Sequence, residues 1–245
     1  MATRTSQSGS AGSAHNYSRL VSTFGPTATT VTDRAPFVAS DVFDKVAMLA
    51  TLALLAGVGG AFANFSPTTI VVLLIAALGL GFAGIFRPAR ANVFAPLYAL
   101  TMGAVLGAIS RFYANGNGAV VPLAILGTTA IFFAVLVAYR TGLVKVTHRF
   151  VQVTLIAMVG LLAMMVGVWL GLTIPYVGRS LTYLVVFGVL YLFIAVMNLF
   201  VDFNYVYMAQ KAGVSKEGEW FAALSIMFSL VMVYLALLRI LGSRR

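Results

Sequence analysis

Seven apolar runs, each near the length of a membrane-crossing helix, are parted by short polar breaks along this chain. They cover residues 46–65, 68–86, 92–112, 119–139, 151–172, 181–210 and 220–241. A helix needs about 20 apolar residues to cross a hydrocarbon core of ~30 Å. Backbone groups facing lipid must be satisfied within the segment itself, so runs of this kind fold as helices. Membrane β-strands would be nearer ten residues long and would alternate in polarity. These runs do neither. The expected fold is an all-α membrane protein with seven transmembrane helices in contact with the lipid bilayer. The sixth run is the longest, and its last two turns are increasingly polar, so it is expected to tilt or to emerge from the bilayer.

Composition agrees with that class. Of 245 residues, 61% are apolar and only 9% charged, whereas soluble domains are about one quarter charged. The formal charge of +10 reads as attraction to anionic headgroups rather than as nucleic-acid binding. Cysteine is absent, which excludes disulfides and thiolate chemistry. His15 and His148 lie in separate polar segments, so no histidine metal site and no cofactor is expected. Residues 1–40 are rich in Ser, Thr, Ala and Gly, with Arg4, Arg19 and Arg34 among them. They read as a disordered tail, and the first apolar run starts too late for a cleavable signal peptide.

Loop charges give the orientation. With the N-terminus inside, the inner segments hold Arg4, Arg19, Arg34, Lys45, Arg87, Arg90, Arg140, Lys145, Arg149, Lys211 and Lys216. The outer ones hold Arg111, Arg179, Arg239, Arg244 and Arg245. The excess favours a cytoplasmic N-terminus, although the last three arginines pull the other way. Small residues mark close helix contacts. Ala99, Gly103 and Gly107 form one strip, Ala163, Gly167 and Gly171 another, and Gly79, Gly81 and Gly84 mark packing or bending in the second run. Trp169, Trp220, Tyr113, Tyr139, Tyr176 and Tyr183 lie near span ends, as amphipathic anchors do.

One residue breaks the apolar pattern. Asp202 is the acidic residue set inside a span, and an ionisable group at that depth marks a functional site by default. Tyr191, Asn198, Asp202 and Tyr205 share one helix face. Asn198, one turn away, is placed to donate to Asp202. On the seventh span Ala222, Ser225 and Ser229 share a face, and their hydroxyls are expected to meet the Asp202 stripe. Arg87, at the end of the second span, is the natural counter-ion. Glu217, Glu219, Asp41 and Asp44 read as solvated loop charge. A lone carboxylate without a histidine, a second buried acid or an activated nucleophile is too little for an enzyme. No phosphate-binding glycine loop is present either.

The run NLFVDFNYV, the short charged loop with EW, and ALSIMFSLVMVYLALLRILG resemble the last two helices of the Bax inhibitor-1 family, in its bacterial branch with a polar N-terminal extension. RPARANVFAPLYALTMGAVLGAIS and VLVAYRTGLVKVTHRF match in order, and the resemblance covers residues 40–245. It implies a seven-helix bundle in which the last helix is central, set in a bacterial plasma membrane. It also implies either a pH-modulated calcium leak or a non-conducting regulator that binds a membrane protease or stress-response partner. By the resemblance, Asp202 matches the first of two proton-sharing aspartates, and Arg87 the arginine that engages it. Asn198 and Ser229 complete the candidate ion path. The second aspartate falls on Ser229, and Met102 stands where some relatives carry an acid. A serine cannot share a proton as a carboxylate does.

Overall fold

The computed structural model describes residues 36–114, 118–169 and 181–242. Arg4, His15, Arg19, Arg34, Gly171, Tyr176, Arg179, Arg244 and Arg245 lie outside the described residues, as do the side chains of Trp169 and Tyr183. Within them the chain is helical: α1 Ala39–Phe62, α2 Pro67–Phe86, α3 Ala91–Ala114, α4 Val120–Arg140, α5 His148–Trp169, α6 Leu181–Lys211 and α7 Glu217–Gly242. Among the described residues, every helix but α5 contains an 18-residue window apolar enough to cross a membrane. The described side chains of α5 continue the apolar pattern as far as Leu161. The all-α membrane fold expected from the apolar runs is the fold observed.

Local chemistry sets several helix ends. Pro67 starts α2, where a missing N–H costs nothing. The Ser66 hydroxyl caps that turn by accepting from the Thr69 amide at 3.2 Å. A 3₁₀ turn at Pro88–Arg90 leads directly into α3. At the end of α6, Gly213 adopts φ +65°, which glycine takes without steric cost. The Val214 amide then reaches back to the Ala209 carbonyl at 3.2 Å, closing the helix with a Schellman bond.

α7 is the axis of the bundle. It packs against α1, α2, α3, α4 and α6, and it is buried on opposite sides, at Ala222, Ile226 and Val233 on one and at Leu224 and Leu238 on the other. α5 stands at the periphery and leans on α6. More than half of the α7 membrane window is buried, against about one sixth for α2 and α4.

The closest approach is between α1 and α3, which run parallel. Gly103 abuts the backbone of Ala53, Gly107 that of Gly57, and Gly60 that of Ala104. A methyl group at any of the three would overlap main chain. The strip on α3 is therefore a contact surface, and its partner is Ala53, Gly57 and Gly60 on α1. On α2, Gly81 faces Phe228 and Tyr98, and Gly84 faces Leu224, while Gly79 meets open space. Of the strip on α5, Ala163 points outward.

The start of the membrane domain differs from the sequence expectation. Phe37 is 3% exposed, and α1 begins seven residues before its apolar run. Residues 36–39 form a strap against the α6–α7 turn. Pro36 bridges Ser215, the Phe37 amide donates to the Val214 carbonyl at 3.0 Å, and the Ala39 amide to Gln210 Oε1 at 3.2 Å. Composition missed this because it averages over the tail, whereas the strap rests on one phenylalanine and backbone pairing.

Candidate functional site

The α6–α7 turn is short, so the two helices pack antiparallel along most of their length. That register sets one helical turn of α6, Asn198 to Asp202, against one turn of α7, Ser225 to Ser229. Leu199, Phe203, Val206 and Ile226 are buried beside them. The Ser225 hydroxyl donates to Asp202 Oδ1 at 2.5 Å, and the Ser229 hydroxyl donates to Oδ2. Both carboxylate oxygens are thus held by α7.

Asn198 does something other than the sequence suggested. Its amide nitrogen donates to Ser229 Oγ at 2.7 Å, across the helix interface rather than along its own helix. The result is a directed chain from amide to hydroxyl to carboxylate. Ser229 uses its one proton on Asp202 and one lone pair on Asn198, which is what a hydroxyl can supply and a second carboxylate cannot.

Arg87 is not brought to this group. It sits exposed in the turn after α2, and no ion pair joins it to Asp202. Among the described residues the ion pairs are Lys45–Glu219 at 2.6 Å and Lys216–Asp41 at 3.8 Å. Among the described residues, the partners of the buried carboxylate are the two serine hydroxyls. Met102 is also buried, and adds no oxygen. No group of three or more potential metal-binding side chains occurs among the described residues.

Glu219 departs from the reading of the α6–α7 loop as solvated charge, which holds for the exposed Glu217. The Glu219 side chain is fully buried. Oε1 accepts from the Val38 amide at 3.0 Å, and Oε2 is the partner of Lys45. Lys45 also lies over the Trp220 ring, 5.5 Å from its centroid. The sequence signal for this was slight. An acid in the first turn of α7 complements the helix dipole, and Lys45 is a lone base near the start of α1. Along α7, Glu219 lies six residues before Ser225, or ~9 Å. The strap and its ion pair therefore sit between Asp202 and the end of the bundle that carries Arg87, Arg140 and Lys211.

Tyr205, on the Asp202 stripe, packs edge-on against Phe221 with ring centroids 5.6 Å apart. Its buried hydroxyl has no hydrogen-bond partner among the described residues.

A sequence model described as Bax inhibitor 1 like matches residues 3–245. The match takes in most of the polar tail, which the resemblance of the helices alone had left out. No curated protein matches the chain.

Proposed function

The chain belongs to the Bax inhibitor 1 like family, and from that premise we propose that it is a cation leak whose conducting state is set at Asp202. The observation that carries this reading is the buried carboxylate on α6, held by Ser225 and Ser229 of the central helix with no ion pair among the described residues. In the closed arrangement both oxygens accept serine protons, and α6 is clamped to α7. Protonating Asp202 changes that pattern. The carboxylic acid becomes a donor, so one serine hydroxyl must turn to accept or let go. Loss of one bond frees the seam, and ions then reach the carboxylate from the basic end past the strap.

The oxygens at the seam, two from Asp202, two from serines and one from the Asn198 amide, suit a hard cation such as calcium. The same reading sets the chain in a bacterial plasma membrane with the basic end cytoplasmic.

Calcium-loaded liposomes containing the purified protein provide the test. Leak should depend on pH between roughly pH 6 and pH 8, and Asp202→Asn should remove that dependence. Leak that is unchanged in this variant and flat across the range would overturn the gating role.

A second reading rests on Ser229. A hydroxyl there leaves Asp202 without a partner acid, which favours a static helix clamp in a non-conducting regulator that binds a membrane protease or stress-response partner. Crosslinking in native membranes separates the two readings, since a leak acting alone brings down no stoichiometric partner.

A further inference from the structure

Between α1 and α4 the bundle is open. Both helices pack on α7, and α1 lies along α3, but α1 and α4 make no extensive contact with each other. The gap is a cleft of about 630 Å³, walled from Phe43 to Ala61 on α1 and from Val121 to Arg140 on α4. Met227, Val231 and Tyr234 of α7 help to form its floor. The walls extend ~27 Å at 1.5 Å per residue, close to the ~30 Å depth of a hydrocarbon core. The cleft's length and its largely apolar walls suit an extended acyl chain.

Its interior asks for an apolar occupant. The Thr128 and Thr129 hydroxyls donate to the carbonyls of Ala124 and Ile125, one turn back, at 2.8 and 3.0 Å. Ser110 and Tyr234 bond each other at 2.7 Å. The polar groups along the wall are thus satisfied without a ligand. An empty gap of this size would forfeit dispersion contacts along its whole lining.

One end of the cleft is charged, and no carboxylate lines it. Arg140 Nε donates to the Tyr207 hydroxyl at 2.9 Å. Tyr207 stacks on Tyr139 with centroids 5.2 Å apart, and the Tyr139 hydroxyl donates to Asn204 Oδ1 at 3.2 Å. This aromatic pair fixes the guanidinium by one edge. Its terminal nitrogens have no partner among the described residues, and they present the paired donors that suit a phosphate.

We propose that this cleft is a binding site for an anionic phospholipid, with an acyl chain between α1 and α4 and the phosphate on Arg140. Bound lipid supplies the packing that α1 and α4 do not give each other. It also ties α4 to α1 beside the central helix.

The test uses the full chain in nanodiscs of equal phosphatidylglycerol and phosphatidylcholine, released gently and weighed by native mass spectrometry. The wild type should retain one phospholipid, with phosphatidylglycerol favoured roughly fivefold, the scale expected of one basic residue near a membrane surface. Arg140→Gln should abolish the preference while keeping a lipid bound. Ala50→Phe and Ala47→Phe, which fill the cleft from α1, should each lose the retained lipid, with folding verified by thermal unfolding. Equal retention of the two lipids by the wild type would overturn the proposal. So would a preference that survives Arg140→Gln, or wild-type retention in both folded phenylalanine variants. A dimer in place of the lipid-bound monomer would assign the cleft to a second copy instead.

Discussion

Lys45 Nζ and Glu219 Oε2 stand 2.6 Å apart, joining the second turn of the first helix to the first turn of the last at one end of the bundle. Glu219 is wholly buried, whereas Lys45 keeps 15% of its side chain exposed, and this asymmetry ranks the variants. Lys45→Met leaves a buried carboxylate whose remaining partner is the Val38 amide, and should cost about 3–5 kcal/mol, as broken buried pairs do. Glu219→Gln keeps an acceptor for Val38, and lets Lys45 extend to water, so it should cost less. Thermal unfolding in detergent micelles gives the order, and the reverse order would contradict this account of the pair.

Arg87 offers a sharper contrast with Asp202. Because the two are not in contact, Arg87→Ala should leave calcium leak and its pH response at wild-type values. Asp202→Asn should change both. Equal effects from the two substitutions would place Arg87 in the Asp202 machinery after all.

Ser229→Asp sets a second carboxylate directly against Asp202. Two acids at that separation cannot both ionise easily, so they should hold one proton between them and titrate as a pair. Leak in this variant is expected to respond more steeply to pH than in the wild type. The same liposome assay reads it, and a flatter response would argue against a gate at this seam.

Glycine at the α1–α3 contact has no room for a side chain. Gly107→Ala should destabilise the bundle by about 1–3 kcal/mol, the usual cost of overpacking, because the added carbon meets the Gly57 backbone. Gly79→Ala, which meets open space, serves as the control and should be neutral or slightly stabilising. The thermal midpoints of the two variants decide it.

How far the sequence revealed this site depends on which periodicity each residue obeys. Asp202, Ser225 and Ser229 were legible because helical spacing fixes their faces and lipid cannot satisfy them. The role of Asn198 was not, since a donor one turn from a carboxylate reads as its intrahelical partner until the neighbouring helix is placed. Glu219 and Phe37 escaped for a different reason. Both lie at the edge of an apolar run, where composition looks like solvent and only long-range packing shows otherwise. Arg87 was assigned by reach along a helix, but it points out of the bundle.

The strap has a consequence for how such a chain is made. The Val38 amide and Glu219 are 181 positions apart, and the helix that fills the centre follows the other six in sequence. During synthesis the early spans must enter the membrane around a place still vacant. The last hairpin then seats the core, and docks the chain's own entrance to it. Contacts of such separation are slow to form. Maturation should therefore end in one late event at the α6–α7 hairpin, when protection from proteolysis appears at residues 36–39 and around Asp202 together.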